Sequence, residues 1–309
     1  MVENAKSDKL LVKGKYFFLP IFSVLVLLCG CTERAIPMAA GSGINRIISA
    51  APSNTDIIAG LGLADKLIAV DKYSRDIAGV RKDLPEIDFF YPDIEAVSGL
   101  KPDIIIAGEI NTEGRSDNPY QFFEKLGITV IQIPTANSIE EIHDSIIHIA
   151  QALGVEEKGE ELARTMWEQI EAIAALASAG TTAQEKSVYF EIAPAPSIVS
   201  FGRGTYLNEL IEILGARNIF ADERRWFVPG PEAIIYANPD VIFFLSVEGA
   251  GGAAGMFGTA EELKSRPGFH AISAVRENRV YAVDSNHAAR PSQNIVLALR
   301  EMYQAIYVH

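Results

Sequence analysis

The chain has 309 residues with 27 Lys and Arg against 40 Asp and Glu, a net charge of −13, and two cysteines. So acidic a surface opposes nucleic acid and an electrostatic hold on anionic lipid. Both cysteines lie within the first 31 residues, so the rest of the chain has no thiol for disulfides, thiolate metal sites or nucleophilic catalysis.

Lys9, Lys13 and Lys15 precede an apolar run over 16–28 that ends in Leu28-Cys29-Gly30-Cys31. A basic stretch, a short apolar core and a small residue before Cys make a secretory signal. The core falls short of the roughly 20 apolar residues that a membrane span needs. Leu-x-Gly-Cys resembles the lipobox of bacterial lipoproteins, which implies that 1–30 is removed and that Cys31 carries the lipid. An ordinary cleaved signal with a Cys29–Cys31 disulfide is the alternative, but residues two apart give poor disulfide geometry. Loss of 1–30 takes away four Lys and two acidic residues and moves the net charge from −13 to −15. Residues 31–44 lack periodicity, are rich in small side chains and are expected to form a tether.

From residue 45 the chain alternates strand and helix patterns. In 45–153, strands are expected at 46–50, 67–70, 103–107 and 129–133, with helices at 55–61, 94–100 and 119–126. That alternation predicts a mostly parallel sheet covered by helices on both faces. A helical pattern then runs over 139–153 to Gly154 and resumes over 156–179, with Leu162, Met166, Ile170, Ile173 and Leu176 at helical spacing. It predicts one long backbone helix within 154–183, ended by Gly180-Thr181-Thr182-Ala183. In 184–309, strands are expected at 187–192, 241–245 and 279–283, and helices at 206–214, 231–236, 261–266 and 292–307. The fold class is therefore α/β, with two Rossmann-like lobes joined by one helix.

One pattern occurs twice, 137 positions apart. Pro92-Asp93-Ile94-Glu95-Ala96-Val97 leads to Lys101-Pro102-Asp103-Ile104-Ile105-Ile106, and Pro229-Gly230-Pro231-Glu232-Ala233-Ile234 leads to Asn238-Pro239-Asp240-Val241-Ile242-Phe243. Each reads as a short helix with Glu in its first turn, a Pro-Asp break and a buried strand. A Glu there interacts favourably with the helix N-terminus, by about 0.3–1 kcal/mol. The pairing also makes two matched acidic points, one on each lobe.

With these pieces placed, 45–307 resembles the solute-binding proteins of bacterial ABC importers for vitamin B12, haem and ferric siderophores. The residues that carry the likeness are Ile47-Ile48-Ser49-Ala50-Ala51-Pro52-Ser53-Asn54-Thr55-Asp56-Ile57, Gly60-Leu61-Gly62, Asp93-Ile94-Glu95 and Leu100-Lys101-Pro102-Asp103. In the second half they are Phe201-Gly202, Leu207-Asn208-Glu209-Leu210, the stretch 215–220, Trp226, Glu232, the stretch 274–281 and Arg290-Pro291-Ser292. The resemblance implies a shallow ligand cleft between the lobes, no intrinsic cofactor and no catalysis. It implies a monomer that hands a metal–organic chelate to a permease dimer with a cytoplasmic ATPase. Corrinoid leads among the chelates, then ferric siderophore, then haem. It also gives Glu95 and Glu232 a role, as docking carboxylates for arginines of the permease.

Ligands of open α/β sheets sit beyond the carboxyl ends of the strands. Here those ends are 51–55, 71–74, 108–111 and 134–135, then 193–196, 246–248 and 284–290. Ser53 and Asn54 belong to the first of them and equally suit a helix start. Tyr73, Phe89, Phe90, Tyr91, Trp226 and Phe227 fall in expected loops, where large aromatics need a partner surface, either a ligand or interlobe packing. The resemblance matches Tyr73, Phe89 and Trp226 to cleft aromatics of vitamin B12-binding members, and Arg290 to a ligand-contacting Arg. Gly108 stands where those members have a further aromatic. Asn286 belongs to the last strand end and is counted with the ligand contacts. His287 suits an axial ligand to haem iron, with Tyr91 opposite, or is a plain surface residue. Arg203 and Arg290 suit ligand carboxylates or phosphate, and Arg203 equally a solvated turn.

Rival functions find little in the chain. Gly60-Leu61-Gly62 is too short for a dinucleotide fingerprint, and neither a Walker loop nor a nucleophile motif occurs. Five histidines, with His143 and His148 on one expected helix and His309 terminal, do not make a catalytic metal triad or a free metal-ion receptor. A structural lipoprotein would have no use for the repeated Glu.

Overall fold

The computed structural model describes residues 43–109, 118–180, 185–247 and 257–308. The expected lipidation site, Cys31, lies outside them. The first lobe runs β1 (Ile47–Ala50), α1 (Pro52–Gly60), β2 (Leu67–Asp71), β3 (Glu86–Ile87), α2 (Ile94–Gly99), β4 (Ile104–Gly108), α3 (Tyr120–Lys125) and β5 (Thr129–Ile133). Its five strands form one parallel sheet in the order β3-β2-β1-β4-β5. Every residue of β1 and β4 is buried, which is why both read as unbroken apolar runs rather than alternating ones.

Two antiparallel-style neighbours follow, α4 (Ile139–Leu153) and α5 (Glu156–Gly180). Ser138 caps α4 by accepting from the Glu141 N–H, and Gly154 ends it in the left-handed conformation, φ 67°. The two helices press together at Gly159, where any Cβ would run into that of Ala150. Along α5 the inward positions are Gly159, Ala163, Met166, Ile170, Ile173 and Ala177. Leu176, expected on that face, is exposed instead, because the smaller Ala177 takes the inward place in the last turns.

The second lobe comprises β6 (Ser187–Glu191), β7 (Ser200–Phe201), α6 (Tyr206–Ile213), β8 (Arg217–Asn218), β9 (Trp226–Phe227), α7 (Pro231–Ala237) and β10 (Val241–Ser246), then α8 (Ala260–Ser265), α9 (Ser273–Arg276), β11 (Val280–Asp284), α10 (Ser285–Ala288) and α11 (Ile295–Tyr307). Strands β11-β10-β6-β8 form a second parallel sheet, and β7 and β9 a small antiparallel ribbon. Trp226 and Phe227 are thus a paired strand, not the loop expected from the sequence. The last helix starts at Ile295 rather than 292, because Ser292 and Asn294 hydrogen-bond to Asp56 of the first lobe instead.

One apolar core runs through both lobes. It joins Ile57 and Ile106 of the first to Phe190 and Leu210 of the second through Ile142 and Ile146 of α4, Met166 and Ile170 of α5, and Leu299 and Met302 of α11.

Candidate functional site

In the first sheet the chain moves outward from β1 to β2 and β3, then returns to place β4 and β5 on the other side of β1. Connections leaving β1 and β4 therefore diverge, and a crevice opens at their carboxyl ends. A cavity of about 400 Å³ lies there. Ala51, Pro52, Ser53 and Asn54 line it from the end of β1, Gly108 from β4, and Ile133, Pro134, Thr135 and Ala136 from β5. Phe89 closes the first-lobe side, while the second lobe contributes Tyr206, Trp226, Ala289 and Pro291. None of the lining residues among those described is charged.

Phe89 and Trp226 are the two large walls, one from each lobe. Each is braced by other rings. Phe90 packs 4.1 Å from Phe89, Tyr73 meets it edge-on at 6.4 Å, and the Tyr120 hydroxyl donates to its carbonyl at 3.1 Å. Trp226 faces Phe201 directly across the β7–β9 ribbon at 5.8 Å, and Phe201 in turn packs on Phe190 of β6 at 5.6 Å. Successive residues of a strand point to opposite faces, so Phe227 turns away from the cavity and packs edge-on against Phe220 at 5.1 Å.

The duplicated segment is duplicated in space as well. Phe89 and Trp226 stand at matching positions just ahead of it, three residues before Pro92 and Pro229 and six before Glu95 and Glu232. Both glutamates are the second residue of their helices, α2 and α7, and both are exposed with no ion pair among the described residues. Beyond each helix Lys101 and Asn238 take the left-handed conformation, φ 49° and 45°. Asp103 then accepts from the N–H groups of Asn45 and Arg46 at 2.8 and 3.0 Å, and Asp240 from that of Ser187 at 2.9 Å. Each Asp of the Pro-Asp break thus ties down the start of its lobe's first strand.

The remaining expected contacts divide. Tyr73 and Phe90 line a smaller adjoining cavity, with Phe89 between it and the main one. Tyr91 is 70 % exposed and lines neither. Arg290 does not reach the cavity; its Nη2 donates to the Tyr73 carbonyl at 2.7 Å and bridges the lobes. The Asn286 N–H donates to Asp284 in the turn that opens α10. His287 lies 2.6 Å from Glu301 through Nδ1, a hydrogen bond that holds its pKa up, and it is not on the cavity wall. Phe227, Asn286, His287 and Arg290 are engaged by these neighbours and, like Tyr91, are not among the described residues that line either cavity. Tyr206 was missed: it sits in the first turn of α6 with helical spacing like any core residue, and its hydroxyl donates to Ala288 at 3.0 Å. No sequence signal distinguishes it.

Buried polar groups tie the ends of β1 and β2 together and hold the lobes in place. Asp71 accepts from the Tyr73 N–H at 2.8 Å and from Ser74, whose hydroxyl lies 2.9 Å from that of Thr55. Burial pushes the Asp71 pKa up. Asp56 on α1 accepts from Asn294 Nδ2 at 3.1 Å and from Ser292 at 3.4 Å, while Gln293 donates to its carbonyl at 2.9 Å. Across the other end, Glu209 of α6 accepts from the Ile139 N–H that opens α4, at 2.7 Å.

A braced two-lobed frame around an uncharged, aromatic-walled cavity at a topological switch point is the architecture of a solute-binding protein. The periplasmic binding protein family matches residues 47–287, and the chain belongs to it. An uncharacterized ABC transporter substrate-binding lipoprotein of Bacillus subtilis, YvrC, is 32 % identical over 85 % of this chain and 80 % of its own. The vitamin B12-binding protein of Vibrio parahaemolyticus is 26 % identical over 85 % and 90 %. Among solved structures, a possible iron-binding periplasmic solute-binding protein of Staphylococcus epidermidis superposes with a TM-score of 0.73 at 28 % identity, over 86 % of this chain and all of its own. The periplasmic haem-binding protein RhuT of Roseiflexus sp. RS-1 does so with 0.73 at 26 %, over 86 % and 99 %. The protein is thus an extracytoplasmic substrate-binding component of an ABC transporter, not an enzyme, and what it binds is cargo rather than a resident cofactor.

Asp56 makes the interlobe contact sensitive to pH. Burial is the largest influence on it and raises its pKa from 3.8 to about 6, against Arg290 and the hydrogen bonds from Ser292 and Asn294. The folded protein then holds this proton more tightly than the unfolded chain does. Its stabilising contribution is complete below the unfolded pKa and is lost as pH rises through about 6, a swing of about 3 kcal/mol. Asp56→Asn is expected to flatten the fall in urea midpoint between these two pKa values; an unchanged slope would contradict the assignment.

Proposed function

We propose that this protein is a lipid-anchored receptor that captures a flat metal–organic chelate between Phe89 and Trp226 and delivers it to its permease. The observation that carries the reading is the pair of aromatic walls, one from each lobe, at matching positions three residues ahead of the repeat, on a cavity whose described lining is uncharged. Stacking on such walls removes apolar area from water without demanding a particular charge on the ligand. A corrinoid is the leading cargo, supported by the vitamin B12-binding relative. A ferric siderophore follows, by way of the iron-binding neighbour, and haem third, by way of RhuT. His287, engaged by Glu301 away from the cavity wall, weighs against haem held by an axial histidine. Cys31 is the anchor in this reading, residues 31–44 the tether, and the body acts as a monomer.

Absorption titration of the purified protein with cyanocobalamin, a ferric catecholate and haemin identifies the cargo, since their bands differ. For the one that binds, Trp226→Ala should weaken affinity by about 5- to 150-fold, the effect of losing about 1–3 kcal/mol at a central aromatic contact. Unchanged affinity in that variant would contradict the sandwich.

Glu95 and Glu232 are the proposed docking points, exposed on the two lobes and set apart from the cavity. Exposed ion pairs add little affinity singly but fix register. Reversing both charges should leave chelate affinity intact while abolishing uptake, with each single reversal partial and the difference from the native protein narrowing as salt screens the new repulsion. A double variant that binds chelate poorly or melts early would return these residues to a helix-end role.

A further inference from the structure

Leu176 and Val308 are left to water, 55 % and 63 % exposed, and the chelate cavity does not account for them. Both border a groove of about 570 Å³ between α5 and α11. The two helices run the same way: Leu162 of α5 and Gln293, just ahead of α11, both lie against Gly60, and Gly180 at the far end of α5 lies against Tyr307. The groove is therefore graded along its length. Gln169 and Arg300 stand at one end, with Gln304 a turn further on, and Leu176 and Val308 at the other. Ile173 is the buried floor, and Tyr303 a wall, packed at 5.4 Å on Tyr307, whose hydroxyl donates to the Leu214 carbonyl. Arg300 is the only charged residue of the described lining, and its guanidinium has no ion pair or hydrogen bond among the described residues. In a chain of net charge −13, a groove whose one charge is positive and uncompensated is set apart.

We infer that this groove binds a medium-chain fatty carboxylate, with its head at Arg300 and Gln169 and its tail over Ile173, Leu176 and Val308. The inference stands apart from the chelate reading, since no residue of the groove lines the aromatic cavity. Charge and polarity set the orientation. A guanidinium receives a carboxylate through two parallel hydrogen bonds, while an alkyl chain gains by leaving water and needs no polar partner. Gln169 to Leu176 and Arg300 to Val308 each span about 10–12 Å along their helices, the length of an extended chain of about eight to ten carbons. A protein partner fits less well, because two exposed large apolar side chains fall short of the apolar centre of a stable interface.

The test titrates the ¹⁵N-labelled full chain with decanoate, hexanoate and decyltrimethylammonium, each below its micelle concentration. Decanoate should give saturable amide shifts along 169–176 and 300–308 and none at the cavity lining 51–54. Its affinity should exceed that of hexanoate by about two- to fourfold for each added methylene. Arg300→Glu should lose the decanoate shifts and acquire them with decyltrimethylammonium. Leu176→Ser, at an exposed position, should weaken decanoate about fivefold or more in protein that keeps its native circular dichroism. Absent or unsaturable shifts, shifts centred on 51–54, or decanoate affinity unchanged in Arg300→Glu would overturn the site. So would a native chain that sediments as a dimer and turns monomeric in Leu176→Ser, which gives the groove to a second copy.

Discussion

Everything at the cleft depends on the apolar core that threads both lobes. Two lobes joined by a chain segment alone would swing, and each would carry its wall wherever it went. Here α4, α5 and α11 bury their faces in common with both sheets, so Ile57 and Leu210 belong to one packed cluster. Hydrogen bonds at the cleft margin reinforce the same arrangement: Arg290 to the Tyr73 carbonyl, Asn294 to Asp56, and the Ile139 N–H to Glu209. Phe89 and Trp226 are thereby positioned before any ligand arrives, which reduces the ordering cost of binding.

The repeated segment gives this arrangement a second consequence. Each cavity wall stands six residues from its lobe's exposed glutamate, and each segment is pinned at its far end by the Asp that holds the first strand. Wall and glutamate in one lobe are parts of a single short unit. If the glutamates do meet a permease, a force that spreads them acts on the two walls with few intervening joints. Capture and release would then share one mechanical element per lobe.

Much of this was legible in the chain. Strands β1, β4, β5, β6, β10 and β11 lie within a residue or so of the expected runs, because burial makes them dense in β-branched and aromatic residues. The two-residue strands β3, β7, β8 and β9 were not, since pairs so short carry no period and are held by tertiary contacts. The first-lobe half of the cavity follows from the carboxyl ends of β1, β4 and β5. The second-lobe half follows only in part: the end at 284–290 supplies Ala289, the ends at 193–196 and 246–247 are not on the wall, and the β7–β9 ribbon with α6 supplies Trp226 and Tyr206. Phe227 shows the same limit at one residue, because its side depends on a pairing that nothing local announces.

The central claim is that a flat ligand stacks on Trp226. The chain has two tryptophans, and the other, Trp167, lies on α5 against the common core. A Trp167→Phe variant therefore makes Trp226 the only indole reporter, and its emission can be followed as cyanocobalamin, a ferric catecholate or haemin is added. The account predicts saturable quenching by one of these at one equivalent. Emission unchanged by all three, in protein that keeps its native circular dichroism, would contradict it.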